Sequence, residues 1–143
     1  MRIADVLRNK GADVATIAPA ATVAHLLDGL ARRNVGAMVV LDGGGAVAGI
    51  VSERDVVRKL HEFGHGVLEM PVSAIMTAVV ATCGPDASVD DLSELMTDNR
   101  VRHVPVLVDG RLAGIVSIGD IVKTRMDELK TEQEQLQAYI QQG

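Results

Sequence analysis

Two serine–aspartate pairs are the residues in this sequence whose types and spacing could do chemistry. Ser52 lies three residues before Asp55, Ser117 lies three residues before Asp120, and each pair directly follows Gly-Ile-Val. This spacing is typical of a capping box, in which the two side chains bond the first backbone amides of a helix. The same geometry also suits a ligand, because a helix N-terminus attracts phosphate and a carboxylate can accept hydrogen bonds from both hydroxyls of a ribose. For each pair taken alone, both interpretations stay open.

An internal repeat contains the two pairs. Residues 47–57 return as residues 112–122 with seven of eleven positions identical. The match extends upstream at a fixed offset of 66, so that Pro19 aligns with Pro85. A supersecondary unit that is present twice indicates two copies packed against one another. The recurrence favours a ligand-binding role for the serine–aspartate pairs, since each occupies the same place in its copy.

The elements that must position these pairs follow the same order in each half. Apolar runs bounded by turn residues predict strands, and apolar residues at helical spacing predict two helices in each half, the second starting just after Ser52 or Ser117. The predicted strands are 14–17, 37–41 and 47–51 in the first half and 79–82, 104–108 and 112–116 in the second. The fold class is therefore α+β, with two β-α-β-β-α units that pack with pseudo-twofold symmetry.

The repeat divides the chain into units at 1–66 and 67–126, followed by a helical extension at 127–143. The last helix, which starts just after Ser117, is expected to continue beyond Asp120 to about residue 141. A narrow apolar face follows a 4-3 spacing along it, at Val122, Met126, Leu129, Leu136 and Ile140. Such a seam among charged residues predicts packing against a second copy in a homodimer. A polar surface helix is the alternative.

Composition argues against several classes of protein. The net charge is −5 and no dense run of Lys and Arg offers a basic footprint, so we expect no nucleic-acid partner. The single cysteine, Cys83, excludes an internal disulfide and indicates a reducing compartment. Neither a signal peptide nor an apolar run of about 18 residues is found, so we expect a cytoplasmic protein with no membrane partner. Phe63 and Tyr139 are the only aromatic residues, so any bound base must lie between aliphatic side chains.

His61-Glu62-Phe63-Gly64-His65 matches the HExxH pattern of zinc metalloproteases. That chemistry needs both histidines on one helix face, and Gly64 and Gly66 weaken the helix at this point. We therefore expect no metal, no cofactor and no catalytic residues.

The two copies resemble a tandem pair of cystathionine-β-synthase (CBS) domains. The resemblance rests on the motif Gly49–Asp55 and its copy at 114–120, on Val101-Arg102-His103-Val104-Pro105-Val106, and on residues 73–77, and it covers the chain to about residue 126. Proteins of this family bind adenosine-containing ligands such as AMP, ATP, NAD(H) or S-adenosylmethionine in clefts between paired domains. The resemblance implies a non-catalytic sensor that signals by conformational change to a separate, unidentified effector protein. The alternative is a structural interaction module whose clefts have lost their ligand and serve dimerisation only.

The resemblance also implies a set of binding residues. The expected ribose ligands are Asp55 and Asp120, and the sugar or phosphate contacts are Ser52 and Ser117. Arg54, inside the first motif, is expected to meet phosphate charge, with a solvated surface arginine as the alternative. Arg102 is a further candidate binding residue, with an ion pair between the halves as the alternative. The expected adenine contacts are Val14, Thr77, Ala78 and Val79. The expected walls are Val35, Gly36 and Ala37 on one side and Val101, Arg102 and His103 on the other, and Pro105 is a further candidate. For each apolar position, packing in the core is the alternative. The two clefts are not expected to be equal, because Gly119 stands in the second copy where the first has Arg54.

Overall fold

The computed structural model describes residues 1–11, 13–79 and 81–142, and these form the repeated α+β architecture that the sequence predicts. The helices are α1 (Ile3–Lys10), α2 (Val23–Arg33), α3 (Glu53–Phe63), α4 (Val89–Asn99) and α5 (Ile118–Gln142). The strands are β1 (Thr16–Ile17), β2 (Ala37–Leu41), β3 (Val47–Ser52), β4 (His103–Val108) and β5 (Arg111–Ser117). Two short 3₁₀ helices, Gly64–Glu69 and Val72–Ala74, connect the halves.

Each half contains an antiparallel hairpin, β2–β3 or β4–β5, with equivalent register. Ala37 pairs with Ser52 in the first hairpin, and His103 pairs with Ser117 in the second. Both serines therefore sit at the end of a strand and directly before a helix. This register is what brings each serine–aspartate pair to the same edge of its sheet.

The strand that is predicted to open each half is short in the first half and reduced to a single bridge in the second. In the first half only Thr16–Ile17 pairs with β2, in parallel, and Ile17 lies opposite Val40. In the second half the predicted strand 79–82 is not observed at residues 79, 81 and 82, and Val80 lies outside the described residues. A single parallel bridge joins Cys83 to Val106 instead, which is the Ile17–Val40 pairing shifted by 66 residues. Pro85 contributes to stopping the pairing there, because proline has no backbone N–H to donate.

The segment that precedes the first strand of each half packs into the hydrophobic core of the other half, and we call these the opening segments. Ile3, Val6 and Leu7 of α1 are buried with residues of α4, β4 and β5 in the second half. Val67 and Val72, which follow α3, are buried in the core of the first half. The predicted boundary at residue 66 follows the order of the chain, whereas packing gives α1 to the second core and residues 67–75 to the first.

The exchange explains the glycine that opens each Gly-Ile-Val-Ser motif. A Cβ on Gly49 would lie 2.7 Å from the carbonyl oxygen of Thr77, and a Cβ on Gly114 would lie 2.7 Å from Cδ2 of Leu7. In each half the exchanged segment crosses the strand at the glycine, where a side chain would prevent close approach.

The last helix, α5, is 25 residues long, which corresponds to about 37 Å. Ile121 is buried in the second core, whereas residues 130–142 are exposed. None of the helices in the described part of the chain combines the length and apolar character that crossing a membrane requires.

Candidate functional site

Both serine–aspartate pairs form capping boxes, as the sequence predicts. The backbone N–H of Ser52 donates to Oδ2 of Asp55 at 2.8 Å, and the N–H of Asp55 donates to the Ser52 hydroxyl at 3.3 Å. The N–H of Ser117 donates to Oδ2 of Asp120 at 2.8 Å, and the N–H of Asp120 donates to the Ser117 hydroxyl at 3.2 Å. Each box orients one carboxylate oxygen toward its own helix. The other oxygen of each carboxylate, Oδ1, takes no part in its capping box.

In the first half, that second oxygen meets the segment between the two halves. Oδ1 of Asp55 accepts a hydrogen bond from the Thr77 hydroxyl at 3.1 Å. Thr77 is held against β3 by two backbone hydrogen bonds with Ile50, each 2.9 Å long. Asp55 and Thr77 are thus fixed side by side, although 22 residues separate them in the sequence.

These residues lie in a cavity of about 500 Å³ between the halves, which we call the Asp55 cleft. Its volume is within the usual range for small-molecule sites. Of the residues predicted from the sequence, the cleft brings together Gly36, Ser52, Arg54, Asp55, Thr77, Ala78, Val79, Val101, Arg102, His103 and Ser117.

Five predicted residues do not line this cleft. Ala37 and Pro105 are buried within β2 and β4, where they pair with Ser52 and Ile115. Val14 and Val35 lie elsewhere on the first half, and Asp120 lines a different pocket.

The pocket at Asp120 has a volume of about 220 Å³, and we call it the Asp120 pocket. The ammonium of Lys10 donates to Oδ2 of Asp120 at 2.6 Å and to the carbonyl oxygen of Ile115 at 2.9 Å. Lys10 thus bonds the same carbonyl in the second half that Thr77 bonds in the first, since Ile115 is the counterpart of Ile50. Burial raises the pKa of Asp120, but hydrogen bonds from Lys10 and Ser117 outweigh it and hold that pKa below its usual value. The carboxylate is therefore ionised and already paired.

The Asp55 cleft also contains residues that the sequence reasoning missed, namely Ile50, Glu53, Arg58, Ala81, Arg100, Ile118 and Gly119. Arg58 stands four residues after Arg54, and i,i+4 helical spacing could have placed it on the same face. Arg100 ends α4 in the left-handed conformation, with φ 53°. No signal in the sequence distinguishes Arg100 from an ordinary solvated arginine.

His103 is half-buried in the cleft wall. Burial lowers the pKa of its imidazole, as do the positive charges of Lys10 and Arg102, against the opposing effect of Asp120 and Glu53. The ring is therefore mainly neutral at pH 7 and can both donate and accept one hydrogen bond.

The HExxH match does not form a metal site. α3 ends at Phe63, and Gly64 follows with φ 68°, so that His61 and His65 do not share a helix. Across residues 1–11, 13–79 and 81–142 no cluster of three His, Cys, Asp or Glu side chains is placed to hold a metal ion. Burial raises the pKa of the Cys83 thiol to about 11, which favours the protonated form over the nucleophilic thiolate.

Known proteins share both the sequence and the fold of this chain. The CBS domain family matches it twice, at residues 3–62 and 72–127. A mitochondrial CBS domain-containing protein of Arabidopsis thaliana, CBSX3, is 40% identical over 149 residues, which span 99% of this chain and 72% of that protein. The crystal structure of a CBS-domain containing protein from Agrobacterium tumefaciens is similar with a TM-score of 0.84 and 43% identity, over 87% of this chain and 99% of that one. The CBS domain pair of protein MJ0100, in complex with 5′-methylthioadenosine and S-adenosyl-L-methionine, has the same fold at 23% identity, with a TM-score of 0.79 over 90% and 98% of the two chains.

Proposed function

The chain belongs to the CBS domain family, and on this premise we propose that it is a regulatory module that binds an adenosine-containing nucleotide in the Asp55 cleft. The observation that carries the proposal is the carboxylate of Asp55, which the capping box with Ser52 and the hydroxyl of Thr77 hold at the wall of a 500 Å³ cavity. Each carboxylate oxygen has two lone pairs, so Asp55 can accept ribose hydroxyls without giving up its capping bond.

The walls of the cleft suit an adenine ring. Ile50, Val79 and Val101 provide aliphatic surface, as expected for a chain with two aromatic residues. Ala78 and Val79 lie outside helices and strands, and neither makes a backbone hydrogen bond within the described part of the chain. Their N–H and C=O groups are therefore available to the edge of the base.

Binding in this cleft couples the two halves. The first turn of α3 supplies Glu53 and Arg54, and the first turn of α5 supplies Ile118 and Gly119, so one ligand contacts an element of each repeat. A ligand that binds one relative orientation of the halves more tightly shifts the population toward it. The module signals through this change rather than by catalysis, and its target is a separate effector protein.

The exposed face of α5 supports a homodimer. Met126, Leu129, Leu136 and Ile140 are each at least 60% exposed and repeat with the spacing of a two-helix seam. The neighbouring residues are charged, so the apolar strip is too narrow for a core and fits the same strip of a second copy. Sedimentation should show a dimer that Leu129→Asn/Leu136→Asn dissociates, with Lys130→Asn as the control on the same helix. A monomeric wild-type protein would remove this part of the proposal.

The Asp120 pocket supports a second candidate role for the repeat, that of a structural contact. Lys10 satisfies both Asp120 and the carbonyl of Ile115, which are the counterparts of groups that line the Asp55 cleft. In this half the aspartate of the serine–aspartate pair thus helps to hold α1 against β5, through its bond to Lys10.

The proposal is tested by calorimetric titration and thermal shift with AMP, ATP, NADH and S-adenosylmethionine. We expect saturable binding of at least one of these, and a ligand at about 100 times its dissociation constant should stabilise the protein by about 2.7 kcal/mol. Asp55→Asn should weaken binding at least about tenfold, which corresponds to about 1.4 kcal/mol. Asp91→Asn is the matched control, because Asp91 occupies the same position after its cap, Ser88, but lies outside the cleft. Failure of all four ligands to bind, or undiminished binding by Asp55→Asn, would contradict the proposal.

A further inference from the structure

We propose that the Asp55 cleft selects nucleotides that carry two or more linked phosphates over nucleoside monophosphates. This inference rests on the proposed function and names the ligand class of that site. It covers nucleoside diphosphates and triphosphates, with a terminal phosphate chain, and dinucleotides, in which a diphosphate joins two nucleosides.

The charge of the cleft is the first support. Arg54, Arg58, Arg100 and Arg102 all line it, against the carboxylates of Glu53 and Asp55. Four positive and two negative groups give +2, in a chain whose net charge is −5. The cleft therefore concentrates positive charge that the protein as a whole lacks, and such a field attracts anions.

The pairing of these arginines is the second support. The ion pairs of the described residues place carboxylates beside Arg8, Arg32 and Arg125. None of them places a carboxylate oxygen within 4.0 Å of a guanidinium of the cleft. The four guanidinium groups thus keep their donors for phosphate oxygens, to which arginine bonds in a bidentate manner.

The distribution of the arginines selects the length of the phosphate chain. Arg54 and Arg58 belong to α3 in the first half, whereas Arg100 and Arg102 precede β4 in the second half. The N-terminus of α5 also opens here, and a Cβ on Gly119 would contact only the hydroxyl of Ser117, at 3.6 Å. One phosphate placed near the arginines of one half leaves those of the other half without an anion. A second phosphate gives the other half its partner and adds about one further negative charge.

The experiment compares AMP, ADP, ATP and NADH by calorimetric titration in a chelator-containing buffer, because magnesium would neutralise the phosphates. We expect ADP to bind about tenfold more tightly than AMP, which corresponds to about 1.4 kcal/mol. Arg54→Gln/Arg58→Gln and Arg100→Gln/Arg102→Gln should each reduce this advantage to threefold or less. The advantage should also shrink as salt is raised, because ions screen exposed charges. NADH distinguishes a terminal phosphate chain from a diphosphate that joins two nucleosides. It should bind more tightly than AMP only if the cleft accepts the bridging diphosphate.

Arg111→Gln is the matched control. Arg111 is also exposed, but it starts β5 at the end far from Ser117, about 20 Å along the strand. It should leave the ADP-to-AMP ratio unchanged. Equal affinity for AMP, ADP, ATP and NADH overturns this inference and leaves the proposed function standing, as does an ADP advantage that both double variants retain. Absence of binding by every nucleotide overturns the proposed function, and the inference with it.

Discussion

The ammonium of Lys10 lies 2.6 Å from a carboxylate oxygen of Asp120, across 110 residues of sequence. The matching carboxylate, Asp55, has the hydroxyl of Thr77 as its neighbour instead. A neutral hydroxyl leaves Asp55 its full charge for a ligand, whereas Lys10 neutralises Asp120. Two nearly identical motifs therefore differ in the charge that they present to their surroundings.

This asymmetry predicts one tight nucleotide site per chain. Lys10→Ala should reveal a second, weaker binding event that involves Asp120, because removing the ammonium frees the carboxylate. Exposed ion pairs contribute about 0.2–1 kcal/mol, and the side chains of Lys10 and Asp120 are 32% and 21% exposed. We therefore expect the affinity of the second site to rise by no more than about fivefold. Calorimetric stoichiometry measures the effect. Lys59→Ala, which breaks an ion pair with Glu62 outside both pockets, is the control. Two equal sites in the wild-type protein would refute the asymmetry.

The lowered pKa of Asp120 predicts how stability depends on pH. Since the folded-state pKa lies below the unfolded value of about 3.9, the carboxylate stabilises the fold above that pH. Its contribution is lost as the pH falls through the folded-state pKa. The difference in free energy of unfolding between wild type and Asp120→Asn should thus be constant from about pH 5 to 8 and shrink below about pH 4. Urea unfolding at each pH measures it. A difference that persists undiminished at the lowest pH would show that the charge of Asp120 does not stabilise the fold.

The left-handed conformation of Arg100 predicts a conflict between stability and binding. Asn34 occupies the equivalent position at the end of α2, with φ 52° against 53° for Arg100. Asparagine tolerates this conformation better than arginine, so Arg100→Asn should raise the free energy of unfolding by about 0.5–1 kcal/mol. The same change should weaken ADP binding about threefold, because a guanidinium leaves the cleft.

Denaturant unfolding and calorimetry measure the two effects of Arg100→Asn. The reverse change, Asn34→Arg, supplies the comparison: it should destabilise the fold and leave ADP affinity unaltered. Unchanged ADP affinity in Arg100→Asn would show that this arginine takes no part in binding.

The two motif glycines predict unequal effects of alanine. A Cβ at position 49 would meet the backbone carbonyl of Thr77, whereas a Cβ at position 114 would meet the end of the Leu7 side chain. The end of the Leu7 side chain is buried but can shift within the core, whereas the backbone of Thr77 is fixed by its bonds to Ile50. Gly49→Ala should therefore destabilise by about 2–3 kcal/mol and Gly114→Ala by about 1 kcal/mol. Urea unfolding of both variants provides the measurement, and the reverse order would contradict the close approach at Thr77.

Much of the fold could be predicted because the sequence repeats. The offset of 66 equates the Ile17–Val40 pairing with the Cys83–Val106 pairing, and the serine–aspartate spacing predicts both capping boxes. The exchange of α1 could not be predicted, because apolar spacing identifies a buried face and not its partner. The contact of Lys10 with Asp120 could not be predicted for a similar reason, because the periodicity of the sequence does not indicate which distant residue a long side chain will contact.

The crossing of the opening segments has a consequence for how such a protein could arise. In one repeat alone, the apolar face of the opening segment would have no core to pack against, and the core of that repeat would be exposed where the other repeat's opening segment normally packs. Two separate copies of one repeat could bury both surfaces by exchanging their opening segments, as in a domain-swapped dimer. Joining the two genes in tandem would keep every contact and fix the partners in one molecule. Cutting this chain in the connection between the halves, directly after α3, should then yield fragments that fold only when mixed.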